Sequence, residues 1–174
     1  MPDHSQTDTP ASLDSSEVIY RSRRPGDIGH IIYRHGVLYA REYGFDATFD
    51  LYVGKPLIGF AENFDPDKEN LWMAERGSDI VGSMAIVNTG NAIAQLRWLL
   101  VEPAARGLGI GRTLVDKGIT FCQTREYKQI FLWTIDYLAA AKKIYTEAGF
   151  KKTDRKTSRV WGQTLTEERW ALHL

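Results

Sequence analysis

The feature that most constrains this chain is Arg106-Gly107-Leu108-Gly109-Ile110-Gly111-Arg112, a run of alternating glycines set between two apolar patterns of different period. Residues 96–101 before it form an apolar run, interrupted by Arg97, that predicts a buried strand. After it Leu114, Val115, Gly118, Ile119 and Cys122 recur every three or four residues, which predicts a helix with one stripe on a core. A strand that enters a helix through such a turn leaves the N–H groups of the first helical turn unpaired and facing outward, which makes an anion site. Glycine allows φ > 0 and lets a backbone approach a phosphate closely. Arg106 and Arg112 add positive charge at the two ends, and the combination suits a pyrophosphate.

Two other phosphate loops are excluded by their spacing. Walker A ends in Gly-Lys-Ser/Thr, whereas Gly111 is followed by Arg112 and Thr113. The dinucleotide fingerprint G-x-G-x-x-G, counted from Gly107, meets Arg112 where its last glycine belongs. No acidic residue closes a second strand about 20 residues further on.

What remains, Arg-x-x-Gly-x-Gly over residues 106–111, resembles the acyl-CoA pyrophosphate loop of the GNAT superfamily of N-acetyltransferases. The superfamily's second element, Ala-x-x-x-Tyr followed by Gly-Phe, stands downstream as Ala141, Tyr145, Gly149 and Phe150. By motif the resemblance covers residues 70–174. It implies an α/β (α+β) fold: a twisted, mostly antiparallel sheet of six to seven strands with about four helices, splayed between the fourth and fifth strands. It also implies acetyl-CoA as acyl donor and no metal.

Composition agrees with that class and narrows the partners. A chain of 174 residues with 43% hydrophobic content suits one domain with a sizeable core. Lys+Arg and Asp+Glu are 22 each, so no net field would hold a nucleic acid or an anionic membrane. No apolar run reaches the roughly 20 residues of a membrane span. The single cysteine excludes an internal disulfide, and no Cys/His cluster has zinc spacing. The expected setting is soluble, reducing and cytoplasmic.

Along the chain, residues 1–16 are mostly Ser, Thr, Asp and Pro with little to bury and are expected to be a flexible tail before a single domain over 17–174. Residues 17–24 predict a first strand, and Asp27 an N-cap. Ile28, Ile31, Ile32, Leu38 and Tyr39 predict a helix to Tyr43, ended by Gly44. Asp46 is placed to cap a second helix, which Pro56 is expected to kink or split. A hairpin follows over 70–76 and 79–88, then a strand over 92–101, the loop helix, a short strand over 129–134, a helix over 138–148 and two final strands near 158–163 and 169–174. Trp161 and Trp170 either serve a homodimer through these exposed strands or belong to the core.

Within the resemblance, the backbone of Leu99, Leu100 and Val101 matches the edge that pairs with pantetheine. Gly107, Leu108, Gly109, Ile110 and Gly111, with Arg106 and Arg112, match the diphosphate loop. Ala141 belongs to the cofactor-binding motif, and Lys142 and Lys143 are candidates for the CoA 3′-phosphate or are simply solvated helix lysines. Tyr145 matches the tyrosine that gives a proton to the CoA sulfur, and core packing is its other reading. Leu138 stands where many relatives have Asn. Gln95 stands where some relatives carry a glutamate base, so deprotonation must run through water or through Glu75, Glu102 or His35. Glu102 reads more plainly as a solvated loop charge, and His35 as a satisfied histidine. Cys122 reads as an inert core residue.

A narrower likeness joins residues 24–30, 34–36, 39–44 and 62–66 to the acetyltransferase domain fused behind MarR-type winged-helix regulators; residues 1–16 are too few to form the winged helix itself. In the two helices after the first strand, which wall the acceptor site of such enzymes, His35, Tyr39, Tyr43 and Glu62 suggest a polar small-molecule amine or amino acid as acceptor. A protein or peptide amine, or a CoA-binding sensor without turnover, are the alternatives.

Overall fold

The computed structural model describes residues 17–174, and the expected tail lies outside the described residues. Among these the order is β1 (Val18–Ser22), α1 (Asp27–Tyr43), α2 (Thr48–Glu62), β2 (Asn70–Arg76), β3 (Asp79–Asn88), β4 (Ile93–Val101), a 3-10 turn (Pro103–Ala105), α3 (Ile110–Thr124), β5 (Gln129–Ile135), α4 (Ala139–Glu147), β6 (Lys151–Val160) and β7 (Gln163–His173). The strands form one seven-stranded sheet in the order β1-β2-β3-β4-β5-β7-β6.

Every neighbouring pair is antiparallel except β4 and β5, and that exception makes the site. The parallel ladder joins only Ile93, Ala94 and Gln95 to Gln129, Ile130 and Phe131. Beyond it β4 stays with β3 as far as Val101 and β5 stays with β7 as far as Ile135. The two strands therefore part into the expected V, and each leaves one edge unpaired within it. A bulge follows in β4. Ser83 pairs with Leu100 and Ala85 with Arg97, so β4 carries one extra residue, and Trp98 takes φ 51° to absorb it. The Ser83 hydroxyl donates to the Trp98 carbonyl at 2.8 Å and holds the bulge closed on the β3 side.

Helices cover both faces, which is why the middle of β3, from Val81 to Ile86, is buried without alternation. On one face Leu114, Val115 and Cys122 of α3 and Tyr145 of α4 pack against Ala94, Leu96 and Ile130. On the other Ile31 of α1 and Phe49, Val53, Leu57 and Phe60 of α2 pack against Met73, Ala85 and Trp98. Truncating a fully buried side chain such as Leu57 to Ala would cost about 2–5 kcal/mol.

Four local expectations are corrected. Asp27 is the first helical residue rather than the cap: Gly26 takes the N-cap, and the buried Asp27 carboxylate accepts from the Arg24 amide and from two nitrogens of Arg21. Ala47, not Asp46, is the N-cap of α2; Asp46 accepts from the Thr48 amide and hydroxyl just ahead of it. Pro56 does not split α2. It removes the rung to the Tyr52 carbonyl, but Phe49, Val53, Leu57 and Phe60 seat both halves on one core. Finally β6 and β7 begin well before the predicted strands, and Trp161-Gly162 is the turn between them, inside the span predicted as a strand. Residues 151–157 are all exposed and polar, so this edge strand shows no apolar alternation to read. Trp161 belongs to the core, and Trp170 is half-buried. Trp161 is buried with Phe45 and Phe49, and Trp170 packs against the α3/α4 cluster.

Candidate active site

The loop between β4 and α3 is built to present amides. Glu102 donates its N–H back to Val81, residues 103–105 make one 3-10 turn that closes with the Arg106 amide on the Pro103 carbonyl, and the first helical rung runs from the Thr113 amide to the Gly109 carbonyl. The amides of residues 107–112 lie between those two bonds and donate to no protein acceptor among the described residues. Gly107 and Gly109 have φ of 83° and 77°, and Gly109 is the N-cap of α3. A Cβ on either would meet nothing within 4 Å, so the space over them is open to a ligand. Gly111 is small for another reason: its Cβ would stand 2.9 Å from Ile144, so it lets α4 close on α3.

A cavity of about 490 Å³ runs over this loop, bordered by Leu99, Leu100, Val101, Gly109 and Ala141. Arg106 and Arg112 border it too, although both guanidinium groups already hold carboxylates. Arg106 Nη2 donates to Glu42 at 2.7 Å and its Nε to the Val101 carbonyl, while Arg112 meets Asp116 at 3.3 Å and Glu147 at 3.0 Å. Ile110 borders it while also packing in the core, and the Leu108 side chain, 53% exposed, does not border it. Lys142 is not on the cavity either. Its ammonium donates to the Asp136 carbonyl at 2.8 Å and pairs with Glu168, whereas Lys143 does face the cavity.

A second cavity of about 120 Å³ lies deeper in the V, between the parted strands and helices α1 and α2. The two adjoin, since Tyr39, Leu99, Leu138 and Ala141 border both. Tyr145 borders the deeper one. Its ring is buried against Phe150, 6.0 Å between centroids, and its hydroxyl has no partner among the described residues. That hydroxyl is not sealed in protein, because no fully buried side-chain oxygen or nitrogen lacks a partner among the described residues. Burial pushes the phenol pKa well above its ordinary range, so it stays protonated.

His35 also borders the deeper cavity, stacked on Tyr39 with 6.0 Å between ring centroids. Its Nδ1–H donates to the Ile31 carbonyl at 2.8 Å, which leaves the lone pair on Nε2. Burial lowers its pKa to about 4, so the ring is neutral at pH 7. Tyr43 belongs to the outer cavity, against Tyr137. Glu62 belongs to neither. It sits exposed at the C-terminal end of α2, and the helical turn that faces the strands ends at Phe60.

The alternative bases separate in the same way. Glu75 is held by Arg21 at 2.6 Å, away from both cavities. Glu102 is no solvated loop charge: Arg34 grips both its oxygens at 2.7 and 2.6 Å. Gln95 does line the deeper cavity, where the ladder ends. Sequence analysis missed Arg97, Tyr52 and Glu167, which also line it. Arg97 was findable, since it shares the face of Gln95 two residues on. Glu167 lies between the two predicted final strands, in what the structure shows to be β7. Cys122 is core, with its thiol pushed up to about 12 by burial.

Comparison with known proteins matches this geometry. The model of the acetyltransferase (GNAT) family matches residues 38–150. An uncharacterised N-acetyltransferase of Schizosaccharomyces pombe is 30% identical over 119 residues, covering 67% of this chain and 72% of its own. N-acetyltransferase 8B of Homo sapiens is 29% identical, over 54% of this chain and 44% of its own, and N-acetylaspartate synthetase of Xenopus tropicalis is 33% identical, over 46% and 30%. The chain thus spans less than half the length of the human and frog relatives. Among solved structures, yncA from Salmonella typhimurium, determined with its cofactor acetyl-CoA, superimposes with a TM-score of 0.72 at 17% identity, over 90% of this chain and 94% of its own. The chain belongs to the GNAT family of acetyltransferases, whose acyl donor is acetyl-CoA.

Proposed function

We propose that the protein transfers the acetyl group of acetyl-CoA to the primary amine of a small molecule or amino acid, by direct attack in a ternary complex. The observation that carries this is the junction of the two cavities at Tyr39, Leu99, Leu138 and Ala141. A donor with its diphosphate on the loop amides and its pantetheine along Leu99, Leu100 and Val101 would meet an acceptor in the deeper cavity at that junction. No helix among the described residues is long and apolar enough to cross a membrane, and the lone cysteine suits a reducing, cytoplasmic setting.

In the transfer, the amine nitrogen attacks the thioester carbon, the C–S bond breaks, and the sulfur takes a proton from Tyr145 Oη, which regains one from water. The proton lost by nitrogen leaves through water toward His35 Nε2. A group of pKa about 4 is unprotonated at neutral pH and accepts only once bonding to the acyl carbon has made the nitrogen strongly acidic. A cavity of about 120 Å³ favours a compact acceptor over an extended peptide. The name of the frog relative, N-acetylaspartate synthetase, supports an amino acid acceptor.

Thiol release by purified protein with acetyl-CoA and a panel of amines, amino acids and peptides tests this. Release on small amines or amino acids is expected. Stabilisation by acetyl-CoA without release on any acceptor would instead favour a sensor, the reading that Gln95 at the place of a carboxylate base keeps alive.

A further inference from the structure

We infer that the acceptor carries a carboxylate and that Arg97 is the residue that selects it; this rests on the acceptor role proposed for the deeper cavity. The other arginines around the site are paired: Arg34 with Glu102, Arg106 with Glu42, Arg112 with Asp116 and Glu147. Arg97 lines the cavity, yet among the described residues it has no carboxylate within salt-bridge distance and no hydrogen-bond acceptor. Its guanidinium lies over the Trp98 ring, 4.9 Å from the centroid, which fixes its plane and leaves its N–H edge for a planar anion.

Strand alternation explains why it faces the deeper cavity. Ala94 and Leu96 of β4 point to the α3/α4 core, so Gln95 and Arg97 point to the α1/α2 side, and the extra residue turns Trp98 to that side as well. Burial disfavours the unpaired cation, a cost that a bound carboxylate would offset. The cavity's other ionised group is already neutralised, since Glu167 pairs with Lys156 at 3.3 Å, and His35 is uncharged at pH 7. The cavity therefore carries one uncompensated positive charge. It repels a polyamine and suits an amine that brings its own carboxylate.

The test pairs each amino acid with its decarboxylated amine, lysine with cadaverine and phenylalanine with phenethylamine among them, and adds Arg97→Gln and Arg97→Lys. For wild type, kcat/KM is expected to favour the carboxylate-bearing member by about 10- to 100-fold, carried mainly by KM. Arg97→Gln should bring that ratio near one, Arg97→Lys should restore part of it, and both should keep the thermal shift given by acetyl-CoA. The same pairs are also scored by thermal shift in the presence of CoA, without turnover. Turnover confined to the decarboxylated amines, or a ratio unchanged in Arg97→Gln, would overturn the carboxylate while leaving the acetyltransferase reading standing. Amino acids that stabilise wild type but not Arg97→Gln, with no thiol released, would do the reverse. If no amino acid binds or reacts, the inference falls.

Discussion

Glu42 of α1 accepts a 2.7 Å charge-assisted hydrogen bond from Arg106 of the β4–α3 loop, so the helix that borders both cavities is tied to the loop proposed to hold the donor. A carboxylate beside a diphosphate site repels the ligand and competes for the same guanidinium. Partly exposed pairs of this kind are worth about 0.2–1 kcal/mol. Glu42→Gln is therefore expected to tighten acetyl-CoA by about two- to five-fold at low salt, with the gain shrinking at high salt. Calorimetric titration at two ionic strengths checks it.

Gly109 should tolerate no β-branched residue. Its φ of 77° is the left-handed region, and the open space above it is where a phosphate would lie. Gly109→Val is expected to abolish the thermal shift given by acetyl-CoA and to destabilise the apo fold by about 1–3 kcal/mol. An unchanged shift would remove these amides from cofactor binding.

Tyr145→Phe should leave folding and acetyl-CoA affinity near wild type, because the ring packs on Phe150 and its hydroxyl has no protein partner among the described residues. Turnover should fall by about 100-fold or more, the usual contribution of a positioned acid. Equal kcat in the two proteins would take the phenol out of the mechanism.

His35 gives the fold a sign in acid. Its folded pKa, about 4, is below the ordinary 6.5, so the unfolded chain binds the proton more readily. Its contribution is complete above about pH 6.5 and is lost as pH falls from there toward 4, by about 2 kcal/mol between pH 7.5 and 5. Urea denaturation of wild type and His35→Phe at the two pH values should show that loss only in wild type.

Much of this was legible in the chain. The β2–β3 hairpin, the loop and α3 follow from period and glycine spacing, because each is decided by residues near in sequence. What was not legible depends on distant partners. Glu102 reads as a loose loop charge until Arg34, 68 positions away, closes on it. Arg106 and Arg112 read as free cations until Glu42 and Glu147 arrive from other helices. Lys142 reads equally as a phosphate ligand or a solvated lysine, and the Asp136 carbonyl and Glu168 draw it aside. Glu62 shares the helical pattern of α2 yet lies beyond the turn that meets the strands. Trp98 turns to the same side as Arg97 because of one bulge, which no local pattern announces.

The central claim, that unpaired amides at the start of α3 hold the donor by its diphosphate, is tested most directly by titrating the protein with acetyl-CoA and with acetylpantetheine, which keeps the thioester and the amides but has no phosphate. Acetylpantetheine is expected to bind at least about 100-fold more weakly. Equal affinity of the two would contradict it.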